Sequence, residues 1–98
     1  MLFRYSTEII KQFPLTVGGL IHLKSGINGP TSERLKEVYT AEQQAVIDRL
    51  GNTPLSELPS LNAWRQAFRQ FGVNPTETRC APEALLRRLT KQGNIPFI

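Results

Sequence analysis

Between residues 61 and 71 of this 98-residue chain, Leu61, Trp64, Phe68 and Phe71 recur at offsets of three, seven and ten. This spacing gathers side chains into one apolar stripe of an α-helix. Gly72 follows where a helix takes a left-handed C-cap. A chain of this length forms one domain with a modest core, so a stripe of this size is needed inside. Trp64 and Phe68 are therefore read as core rather than as platforms for stacked bases, since burying such a side chain contributes roughly 1.5–3 kcal/mol. Arg65 and Arg69, interleaved with them and four residues apart, fall on a different face.

Those two cations belong to an uneven charge distribution. Residues 1–60 carry six cations and six anions, whereas residues 61–98 carry Arg65, Arg69, Arg79, Arg87, Arg88 and Lys91 against Glu77 and Glu83 only, so the whole net charge of +4 lies in the C-terminal part. Five of the six are Arg, whose planar fork suits phosphate and base edges better than the point charge of Lys. Two readings follow: an RNA-facing surface made of these six residues, or a solvated basic face. For Arg65 and Arg79 the structural alternative to RNA contact takes a specific form, in which they anchor loops by donating to carbonyls. With 40% hydrophobic and 20% charged residues, the chain lies far from the composition of disordered segments.

Pro and Gly punctuate the rest. Residues 2–6, "LFRYS", read as a short first strand, and Ser6 caps a short helix that Pro14 closes. "LTVGGLIHL", residues 15–23, is the strongest strand signal: apolar on both faces and so expected buried, with Gly18-Gly19 marking a bulge or a close backbone approach. After the loop "KSGINGP", Thr31 or Ser32 caps a long helix ending at Gly51, with Leu35, Val38, Tyr39, Ala45, Val46 and Leu50 as its stripe. "NTPLSELPS" is a connector, and the aromatic helix runs from about Leu61 to Phe71. Pro82 at a first helical position opens a last helix that stops at Gly93, with Leu85, Leu86 and Leu89 inward and Arg87, Arg88 and Lys91 outward. "NIPFI" looks like the start of a strand. The expected architecture is α+β, short strands with three to four helices in a single domain over residues 1–98.

Chemistry-bearing residues are few. Cys80 is the sole cysteine and His22 the sole histidine, so no internal disulfide or metal site is expected, and no cofactor. His22 lacks a nearby carboxylate to orient it as a base, and reads as structural or surface. Cys80 reads as a small half-buried residue before a helix, although that position can lower a thiol pKa. "TVGGL" and "GINGP" match neither a nucleophile elbow nor a phosphate loop. No apolar run is long enough for a signal peptide or membrane span, so no membrane partner and a cytoplasmic location are expected.

The run Trp64-Arg65, Phe68, Phe71-Gly72, Pro75, Arg79, then "APEALLRR", Gly93 and "IPFI" resembles the stand-alone relatives of the B-three/B-four domain, the editing domain of the phenylalanine-tRNA ligase beta chain. The motifs "WRQAFRQFG" and "APEALLRRL" carry the likeness together. The resemblance implies an α+β domain that binds tRNA or other RNA and, when complete, hydrolyses mis-acylated aminoacyl-tRNA. Family members continue past the equivalent of "NIPFI" into further strands with an acidic, asparagine-containing segment, so this sequence looks like the N-terminal half. Its catalytic residues are unknown, and the 98 residues alone are expected to be inactive and to self-associate through uncovered core or sheet edge. The alternative is a non-enzymatic nucleic-acid or protein interaction module on the same helices.

Overall fold

The computed structural model describes residues 2–97. Among them the architecture is all-helical: α1 (Thr7–Gln12), α2 (Glu33–Leu50), a single 3-10 turn (Leu55–Glu57), α3 (Pro59–Gln70) and α4 (Ala81–Gln92), with no strand. This corrects the α+β expectation. A strand exists only when a second strand completes its ladder, and residues 2–6 and 15–23 find none among the described residues.

The helix boundaries follow local chemistry. Ser6 Oγ accepts from Ile9 N at the start of α1, and Ser32 Oγ accepts from Leu35 N at 3.2 Å to open α2. Pro59 stands in the first turn of α3, where its missing N–H costs nothing, so the helix begins two residues earlier than the stripe indicates. At its other end Gly72 adopts φ +82°, with Gly72 N donating to Arg69 O and Val73 N to Phe68 O. Those two bonds make a Schellman motif. Pro82 falls on the second residue of α4, one later than expected, and Gly93 closes that helix at φ +82°.

The core lies where the C-terminal end of α2, the 3-10 turn, the start of α3 and the inner face of α4 meet. Leu50, Leu55 and Leu61 form its centre, with Val46, Leu58, Cys80 and Leu86 packed against them, and Leu89 is buried as well. The remaining expected core positions are only partly covered or lie outside. Leu35, Val38 and Leu85 are exposed, Phe68 is half-buried, and Trp64 is 49% exposed. The aromatic stripe turns from Leu61, inside, towards the N-terminal arm, which covers it incompletely: Phe71 meets Phe13 and Phe68 edge-on or tilted at 6.0 and 5.1 Å.

That arm accounts for the open shape. Residues 16–31 contain no helix, and Leu15 and Val17 are each 93% exposed, the reverse of the buried strand expected there. Only the close approach at Gly18 is seen, where the Tyr5 ring lies against its backbone. The radius of gyration is 16.8 Å, against about 13 Å for a compact domain of this length. Near the C-terminus, Gln43 replaces a strand partner: its Nε2 donates to Ile95 O at 3.0 Å and its Oε1 accepts from Ile95 N at 2.8 Å. One buried amide side chain thus satisfies both backbone groups of Ile95. Of "NIPFI", Ile98 lies outside the described residues.

Candidate nucleic-acid interface

Arg87, Thr90 and Lys91 are neighbours on the surface of α4, while Glu83 sits one turn before Arg87 and is buried. Glu83 is completely buried, its side chain 1% exposed. An ionised carboxylate removed from water must be paired, and here a single oxygen serves two cations. Oε1 accepts from Arg65 Nη1 at 2.7 Å and from Arg87 Nε at 3.0 Å, with Arg87 Nη2 at 2.8 Å. Oε2 is buried with no hydrogen-bond partner among the described residues.

Arg65 extends this centre into the loop between α3 and α4. Its Nη2 donates to Thr76 Oγ1 at 2.9 Å and its Nη1 reaches Pro75 O at 3.4 Å. Asn74 fixes the same turn from within, its side chain accepting from Thr76 N and its carbonyl from Thr78 N. Arg65 thus holds the loop chiefly through Glu83 and Thr76, and its one carbonyl contact, to Pro75, is the longest of the three. Arg79, given the same reading, is exposed and makes no hydrogen bond or ion pair among the described residues.

Arg79, Arg87, Thr90 and Lys91 together line one recess of about 380 Å³. Thr90 Oγ1 already donates to Arg87 O at 3.1 Å. With Nε and Nη2 of Arg87 committed to Glu83, its Nη1 is left over, as are the head groups of Arg79 and Lys91. Of the six cations singled out in the sequence, the structure therefore gathers Arg79, Arg87 and Lys91. It draws Arg65 inside and leaves Arg69 exposed on α3, away from the recess. Arg88 also lies outside, with Nε on Gln92 Oε1 at 3.2 Å. Glu77 is exposed on the loop and does not line the recess.

The residue that sequence reasoning missed is Glu83. The offset of four between Glu83 and Arg87 is legible, but the pairing with Arg65 spans 18 residues and depends on how α3 and α4 meet. His22 lies exposed on the arm, and Cys80 is half-buried at the N-cap of α4 against the leucine core. No third ligand-type side chain joins either: no group of three His, Cys, Asp or Glu residues gathers among the described residues. A second, more apolar groove of about 490 Å³ runs between the arm and α3, where Phe13, Leu15 and Val17 face Ala63, Trp64 and Ala67. Among the described residues no helix is long and apolar enough to cross a membrane. Set against family models, curated proteins and solved structures, the chain matches none.

Proposed function

We propose that this chain is an RNA-binding module of the cytoplasm that holds phosphate on the basic face of α4, with tRNA the class of RNA that its resemblance to the editing domain implies. The observation that carries the reading is the convergence of Arg79, Arg87 and Lys91 on one recess, in the part of the chain that holds the entire net charge. Cationic head groups around a concavity, those of Arg79 and Lys91 uncommitted and Arg87 with Nη1 to spare, attract a polyanion. No residue is assigned to ester hydrolysis.

Fluorescence anisotropy with single-stranded and transfer RNA tests this. Affinity is expected to fall linearly with salt on logarithmic axes, with a slope of about −0.7 per phosphate contacted on a single strand. Replacing both Arg79 and Lys91 by Ala, neither of which supports the fold, is expected to flatten that slope by about 1.4. Absent or salt-independent binding would overturn the reading.

The arm favours a second reading, an interaction module that pairs with a second copy of itself. Residues 12–23 carry no formal charge, and their pattern is self-complementary about Gly19. In an antiparallel pair centred there, Leu15 meets Leu23 and Val17 meets Ile21 of the other copy, on one face and free of charge repulsion.

A further inference from the structure

We infer that the Arg79–Arg87–Lys91 recess is a site for a terminal phosphate monoester of an RNA strand, set in place by the buried carboxylate of Glu83. This rests on the RNA-binding reading and narrows it from a basic face to an end-group pocket.

The argument starts from shape and charge. A strand interior presents singly charged phosphodiesters in series and needs a track of cations. The described cations form no such track at the recess, because Arg69 and Arg88 do not line it and Arg65 is engaged inside with Glu83 and the loop. What the recess offers is three cations converging on one concavity. A phosphate monoester carries about −1.5 to −2 charge and three acceptor oxygens at neutral pH, which matches three separate donors better than a diester does. The recess, about 380 Å³ and largely open to solvent, is large enough for a phosphate group and leaves the attached strand in water.

Glu83 makes the site pre-organised. Its Oε1 holds Arg87 through Nε and Nη2, which fixes the guanidinium plane and leaves Nη1 for a ligand. The same oxygen holds Arg65, which in turn grips Thr76 and Pro75 in the loop that leads to Arg79. One buried atom thereby orients a donor on the helical wall and anchors the loop that carries another. Glu83 is a positioning residue, and the orientation is set before any ligand arrives, which reduces the ordering cost of binding.

The test uses one short oligoribonucleotide with a 5′-phosphate, with a 3′-phosphate, or with hydroxyls at both ends, and inorganic phosphate as competitor. At least one phosphorylated form is expected to bind about tenfold or more tightly than the hydroxyl form, the value of one added charge-assisted hydrogen bond. That advantage is expected to vanish in Lys91→Ala and Arg79→Ala and to persist in Arg69→Ala. It is also expected to shrink in Glu83→Gln, provided circular dichroism shows that variant folded; if it is not folded, the Lys91 and Arg79 variants decide the site. Equal binding of all three oligonucleotides overturns the end-group inference and leaves the RNA-binding reading standing. Failure of all three to bind removes both. Inorganic phosphate binding as tightly as the phosphorylated strand overturns the RNA end in favour of a free anion.

Discussion

Glu83 holds two arginines on one oxygen in the interior of a small protein, and the balance of such a centre is one-sided. Desolvating the three charges is costly, so the cluster as a whole adds little net stability. Removing one member, however, leaves a buried charge without its partner, at about 3–5 kcal/mol. Glu83→Ala is accordingly expected to lower the unfolding free energy in urea by about that amount, and Thr76→Ala, which removes one hydrogen bond of Arg65 near the surface, by only about 1 kcal/mol. A Glu83→Ala midpoint equal to wild type would show that the carboxylate is not the anchor. The sequence displayed the Glu83–Arg87 spacing but could not display Arg65 opposite it. The reading of Arg65 as a carbonyl anchor found its loop partner and missed its acidic one, since a contact between two helices is fixed by their packing and not by either helix's own pattern.

At the scale of elements, the helices and their ends were legible because caps are local: Ser6, Ser32, Gly51, Gly72 and Gly93 stand at or next to the boundaries their chemistry dictates. The strands were not, because alternation records a willingness to pair and says nothing about a partner. Burial within a stripe was only half legible. Leu61 is 3% exposed and Trp64 49%, so Leu61→Ala is expected to cost about 2–5 kcal/mol and Trp64→Ala distinctly less, the reverse of the order side-chain size implies. Equal losses in thermal or urea melts would return Trp64 to the core. Gln43→Ala removes both hydrogen bonds to Ile95 and leaves backbone groups unpaired at about 1–3 kcal/mol; hydrogen exchange at Ile95 N–H is the sensitive readout. For the arm, analytical ultracentrifugation of wild type is expected to show a dimer that Val17→Lys dissociates, since it sets a charge opposite Ile21 of the other copy in place of an apolar partner, at both ends of the pairing. A wild-type monomer at high micromolar concentration would set aside the self-pairing reading.

The molecule as a whole divides by charge and by polarity. A basic end on α4 and the preceding loop holds the uncommitted head groups of Arg79 and Lys91 and the remaining Nη1 of Arg87 around one recess, and an extended N-terminal arm leaves Leu15, Val17, Ile21 and Leu23 in solvent. The two surfaces make opposite demands on a partner, an anion at one and an apolar edge at the other, so locating RNA on the molecule separates them. Amide chemical-shift mapping during titration with RNA is the most direct measurement. The account predicts that shifts concentrate between residues 79 and 91, with Arg79, Arg87 and Lys91 at their maximum, and that they collapse as salt is raised. Shifts confined to the groove between residues 12–17 and α3, or none at all, would contradict it.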